Sequence, residues 1–175
     1  LTEHLRNAGY RRIALLAARL DPRSSRRMAG YRAVMEEAGL ADDRLVVQTK
    51  APSSVPVGCE LLRKIMEQSP DIDAVFCNND DVAMGALFEC QRLGIGIPDQ
   101  LGLAGFNDFE MMAAAEPPIT SVATERYEMG VMAMDMVART IAGEPPEKKV
   151  VDLGFHLKLR ASTRAAKPTR AQEAG

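Results

Sequence analysis

Two short polar clusters close two apolar runs in the middle of this chain. Residues 73–77 (DAVFC) lead into Asn78-Asn79-Asp80, and residues 101–106 (LGLAGF) lead into Asn107-Asp108. Both runs have strand length. Each cluster has a plain structural use, the first as a helix cap and the second as a turn. Their occurrence at equivalent strand ends favours a shared site. A third group adds charge. Arg23, Arg26 and Arg27 open a helical segment after another apolar run, where cations oppose the helix dipole. Arg23 and Arg26 suit a solvated face. Arg27 precedes Met28 and lies one turn before Gly30-Tyr31, so it is the one expected to point inward. A guanidinium holds a carboxylate or phosphate through two parallel hydrogen bonds.

These side chains need elements to position them. After residues 73–77, Asp80 and Asp81 fall in a helix's first turn, where its dipole favours negative charge. Ala83, Ala86, Leu87 and Cys90 recur at helical spacing, Gly94 stops the helix, and Gly96 and Pro98 prevent it resuming. Residues 73–108 therefore read as strand, helix, strand: a right-handed parallel crossover. Ligands of open parallel sheets bind beyond the carboxyl ends of the strands.

In chain order, residues 1–8 read as a helix ended by Gly9, and 12–17 as a strand. Ser24 or Ser25 caps a helix running to about residue 38. A short strand spans 45–48, a loop 50–57, and a helix 58–68. Residues 109–115 form a short apolar helix closed by Pro117-Pro118. A strand or crossing segment follows over 119–124, a long helix over 127–142, a last strand or strand pair over 150–159, and a polar tail over 161–175. This alternation predicts an α/β fold with a doubly wound parallel sheet.

Composition narrows the function. The chain has 175 residues, 46% of them hydrophobic, with 22 Lys+Arg against 24 Asp+Glu, which is enough for a core and does not suggest a nucleic-acid-binding surface. No apolar run approaches the ~20 residues of a membrane span, and no signal peptide is visible. Cys59, Cys77 and Cys90 are scattered without metal-type spacing, which suits small buried side chains in a reducing cytoplasm. His4 and His156 have no partner for catalysis or metal binding. No cofactor and no metal site are expected.

Several motifs resemble the LacI-type transcriptional regulators. Asn79-Asp80-Asp81-Val82-Ala83-Met84-Gly85-Ala86 resembles their NDxxAxGA segment. Gly94 to Pro98 followed by residues 101–108 resembles G(I/L)xVPxDxxxxGFDD. Pro117-Pro118-Ile119-Thr120-Ser121-Val122 resembles PPLTTV, residues 9–16 resemble GHRRIALL, and residues 27–31 resemble RxxGY. The matches run in order over residues 1–160. Within the family, residues 88–94 and 151–155 are most similar to gluconate-utilisation repressors.

The resemblance implies a periplasmic-binding-protein-like effector domain of two α/β lobes. Residues 1–118 would be its carboxyl-terminal lobe, 119–147 a crossover and helix of the other lobe, 148–160 the return, and 161–175 a flexible tail. The DNA-binding head and most of the amino-terminal lobe would lie outside this sequence. Effector contacts carry over to Arg27, Asn79 and Asn107, with Ser53, Ser54 and Thr124 as further candidates. The family usually has Asp where this chain has Asn107. An amide there donates to a carboxylate that an acid would repel, which with Arg27 favours a sugar acid or its phosphate. Asp108 is the alternative for that contact.

The family also implies a homodimer, operator DNA as partner of the head, no membrane, and a cytoplasmic location. Met84, Phe88 and Gln91 recur at i, i+4 and i+7, and Met111 and Met112 lie nearby in the chain. An apolar patch of this kind suffices for a two-fold joint; packing within the lobe is the other use for it. Two further classes stand beside the regulator. A periplasmic sugar-binding transport protein shares the fold and the NDxxAxGA likeness. An α/β enzyme would need a base and an orienting group around Asp80, Asp81 or a cysteine, and the sequence offers none.

Overall fold

The computed structural model describes residues 1–165. Strands β1 (Ile13–Ala17), β2 (Val46–Gln48), β3 (Ala74–Cys77), β4 (Gly102–Asn107), β5 (Thr120–Thr124) and β6 (Phe155–Lys158) form one sheet in the order β2-β1-β3-β4-β5-β6. Neighbours pair in parallel up to β5, and β6 returns antiparallel to β5. The helices are α1 (Thr2–Asn7), α2 (Pro22–Glu37), α3 (Val55–Gln68), α4 (Asp80–Leu93), α5 (Glu110–Ala114) and α6 (Arg126–Ile141).

The period-2 alternation of the strands explains the layers. Ile13 and Leu15 of β1, with Ala74 and Phe76 of β3, pack against Leu5 of α1 and Tyr31 and Met35 of α2. Ala14 and Leu16, with Val75 and Cys77, pack against Leu62 and Ile65 of α3 and Val82 and Leu87 of α4. Every residue of β1 and β3 is buried, as expected for parallel strands covered on both faces. The doubly wound α/β sheet is thus present, with its order reversing between β1 and β3. Helices α3 and α4 cross glycine on glycine: a Cβ on Gly85 would run into the Val55 carbonyl, and one on Gly58 into that of Val82.

Several boundaries differ from the sequence expectation. Helix α2 is capped by Asp21, whose carboxylate accepts from the Ser24 N–H at 2.8 Å, with Pro22 in the first turn. Ser24 instead donates its hydroxyl to the Arg19 carbonyl at 2.7 Å. Helix α3 starts at Val55 rather than Gly58, because Pro56 fits a first helical turn and Ser54 caps it. Only residues 155–158 of the expected last strand or strand pair are extended.

The tail expected from residue 161 is held in place at its start. Ser162 and Thr163 are buried, and the Ser162 hydroxyl accepts from the Thr120 N–H at 2.8 Å and donates to the Leu103 carbonyl. Residues 166–175 of that expected tail lie outside the described residues. Met84 and Met112, expected from the sequence to contribute to a dimer surface, belong to the core of this chain instead, the packing within the lobe that was the other use for them. Helix α4 is enclosed by α3, by the sheet and by the α5 region, so its buried face is wider than one stripe. Phe88 and Gln91 remain exposed, and Met111 is half-buried. By contrast, α6 buries none of its residues.

Candidate effector site

The end of β3 is built first. The Asn78 side-chain amide donates to the Ala18 carbonyl at 2.8 Å and to the Ser24 hydroxyl at 3.0 Å. Its oxygen accepts from the Ala18 N–H at 3.1 Å and from the Asn79 amide at 3.1 Å. Asn78 therefore ties β3 to the loop leaving β1 and is satisfied within the protein. Asn79 caps α4, its oxygen accepting from the Val82 N–H at 3.1 Å. One amide hydrogen of Asn79 remains for a ligand.

Above this floor lies Arg27, in the second turn of α2. It donates to the Asn78 carbonyl at 2.6 Å and to the Asn107 side-chain oxygen at 3.4 Å, and it lies 3.8 Å over the Phe106 ring. Phe106 is near the end of β4, so Arg27 reaches across the carboxyl ends of β3 and β4. Among the described residues it makes no ion pair with a carboxylate. Burial depresses its pKa, with the nearby Arg23 adding to the effect. Asp21 and Asp80 oppose that shift from a distance without pairing with it, and a half-buried guanidinium with no directly paired carboxylate favours an anion.

Arg27, Ser53, Asn79 and Asn107 line one polar cleft, together with Arg19 and Arg23 and the carboxylates of Asp21 and Asp81. Arg23 is paired with Asp21 at 3.0 Å. An apolar cavity on the other side of Arg27, bounded by Phe76, Phe106, Val122 and Phe155, offers few hydrogen-bonding groups. The polar chemistry is on the cleft side. Among the described residues, no cluster of three potential metal ligands occurs.

The end of β4 is built differently. Asn107 and Asp108 both have positive φ, 118° and 55°. Asp108 faces away from the cleft and pairs with Arg160 at 2.6 Å. The next N–H, that of Phe109, donates to Asp80 at 2.8 Å, and Ser121 of β5 donates to the other Asp80 oxygen at 2.9 Å. Burial pushes the Asp80 carboxyl up from its ordinary range, opposed by those two hydrogen bonds. Arg126, at the start of α6, donates to the Asn107 and Asp108 carbonyls and stacks over Phe109.

Four of the seven candidates from the sequence thus converge: Arg27, Ser53, Asn79 and Asn107. Three do not. Ser54 is taken up as the α3 cap, Asp108 by Arg160, and Thr124 sits at the end of β5 opposite Phe155. The sequence reading placed Asp80 in the first polar cluster but missed Phe106, Arg126 and Arg160 as parts of this region. Phe106 had a signal, since the alternation of β4 puts it on the α2 face. The other two act over long chain separations and had none.

The chain matches the model of the periplasmic binding protein-like domain over residues 2–163. It is 42% identical to the HTH-type transcriptional regulator GntR of Escherichia coli over 149 residues, 85% of this chain and 44% of that protein. It therefore spans less than half the length of that curated relative. The solved transcription regulator GntR from Chromobacterium violaceum is 44% identical with a TM-score of 0.90, covering 93% of this chain and 60% of that one. The regulator CelR, solved as a cellobiose complex, is 31% identical with a TM-score of 0.86, over 92% of this chain and 49% of its own. This chain belongs to the periplasmic binding protein-like family, and it is similar to the corresponding part of LacI-type regulators.

Proposed function

We propose that the chain is the sensing part of a LacI-type repressor, and that it binds a sugar acid such as gluconate, or its phosphate, in a cleft between two lobes. The observation that carries this reading is Arg27, which lies over the strand ends with no carboxylate partner beside two amides. A carboxylate on the guanidinium would complete its charge, and Asn79 and Asn107 would hold hydroxyls. The 42% identity to a GntR regulator supports the same class. Those relatives are regulators, which speaks for sensing over transport or catalysis and for a cytoplasmic protein.

In this reading residues 1–118 form the carboxyl-terminal lobe, 119–147 cross to the other lobe, and 148–160 return. The bare surface of α6 supports the crossing, because nine residues of α4 are buried while α6 buries none. The operator is held by a head outside this chain. Calorimetry of the intact protein against gluconate, its phosphate, related sugar acids and neutral sugars tests the ligand class. An acid should bind most tightly, and preference for a neutral sugar would rule the reading out.

The regulator works as a homodimer through the exposed side of α4 in the same proposal. Phe88, 39% exposed, is its centre, with Gln91 and Met111 beside it. Phe88→Glu should give a folded monomer in sedimentation that still binds ligand. A persistent dimer would move the joint elsewhere.

A further inference from the structure

We propose that Asp108 and Arg160 are positioning residues, whose ion pair holds Asn107 in the conformation that presents its side-chain oxygen to Arg27. This inference rests on the reading of Arg27 and Asn107 as effector contacts, and it removes Asp108 from the candidate contacts. Two consecutive non-glycine residues at positive φ persist only where neighbours hold them. Asparagine and aspartate tolerate that region better than other side chains, but tolerance does not select it.

The restraints come from four directions. Arg160 Nη1 bridges the Asp108 carboxylate at 2.6 Å and the Ile119 carbonyl at 2.8 Å. The Asp108 N–H donates to the Ser121 hydroxyl at 3.2 Å, and the Phe109 N–H to Asp80 at 2.8 Å. Arg126 takes the Asn107 and Asp108 carbonyls. Of these groups, Asp108 and Arg160 form the one direct ion pair, and their side chains are only 13% and 19% exposed. Loss of either partner leaves a shielded charge alone and frees the turn. Arg160 follows β6 and Ser121 belongs to β5, the two strands that lead to and from α6. The turn that carries Asn107 is therefore fixed to the segment that the proposed second lobe would move.

The test uses the intact protein and the variants Arg160→Met, Asp108→Gly and the double variant. Glycine accepts the positive φ, so Asp108→Gly removes the carboxylate without adding backbone strain. Hydrogen–deuterium exchange across residues 105–112 reads the turn without any ligand. Both single variants should exchange faster there while β1 and β3 stay protected. Calorimetry with gluconate should show a loss of about tenfold in each single variant and no further loss in the double. Unchanged exchange at the turn in both variants overturns the positioning role, and so do losses that add in the double variant, since Asp108 would then act on the ligand by itself. Should Arg160→Met not fold, Asp108→Gly decides by the same exchange measurement. If the unsubstituted protein binds no gluconate, the proposed function fails and the exchange result still decides this inference.

Discussion

The ends of β3 and β4 lie side by side in the sheet and carry similar residues, yet they are built in opposite ways. At β3, Asn78 is satisfied on all sides by Ala18, Ser24 and Asn79, and Asn79 caps α4. At β4, Asn107 has its side chain in the cleft, and its unusual backbone is held by residues from α4, β5, α6 and the segment after β6. The first end is a floor that the local chain makes for itself. The second is a turn held by contacts to residues distant in the chain. Similar amides thus serve stability at one strand end and, in the proposed function, recognition at the next.

The largest expected effect is at the floor. Asn78→Ala leaves the Ala18 N–H and carbonyl unpaired in a buried place and takes one of its two partners from the Ser24 hydroxyl, and should destabilise the fold by about 3 kcal/mol in urea unfolding. A loss below about 1 kcal/mol would make the two ends alike. At β4 the opposite outcome is expected. Asn107→Gly relieves the positive φ and should leave stability equal or higher by up to about 1 kcal/mol, while gluconate affinity falls about tenfold. A variant that binds as well as the parent would remove Asn107 from the site.

The end of β1 supplies a third case. The Ser24 N–H and then the Arg23 guanidinium hold the Asp21 carboxyl down at about 2, against an ordinary value of 3.8. A depressed carboxyl stabilises the fold above its unfolded value and loses that contribution as pH falls through its folded value. Asp21→Ala should therefore flatten the pH dependence of stability between 3.8 and about 2. An unchanged slope in that window would mean that the cap is not formed in solution. The smallest expected effect is none at all. Burial pushes Cys90 up to about 12 and raises Cys77, the last residue of β3, as well. Neither should react with a thiol reagent at about pH 8 in the native state. Fast labelling of Cys77 would show that the floor opens.

Much of this was legible in the sequence because the signals were local. The apolar run ending at Cys77 is a buried strand, Asn79 is a cap, and Gly94 closes α4 in a left-handed conformation. Arg27 could be picked from three arginines by its place next to Met28. The misses were of two kinds. Asp21 outcompeted Ser24 as cap because Pro22 suits the position after it, a local choice between two good caps. Met84 and Met112 went to the core because of what packs around α4, and that depends on tertiary structure. Asp80 was read as a first-turn charge. Its bonds to Phe109 and Ser121 arise only when three strand ends meet, 29 and 41 residues apart in the chain.

Arg27 carries the anion reading, and one comparison tests it directly. Calorimetry of the intact protein and of Arg27→Ala should be run with gluconate and with glucose. The parent should prefer gluconate, and the variant should lose at least about 2 kcal/mol for gluconate and little for glucose, since only the acid leaves a charge without its partner. An equal loss for both ligands, or gluconate affinity unchanged by the substitution, would contradict an anion site at the ends of β3 and β4.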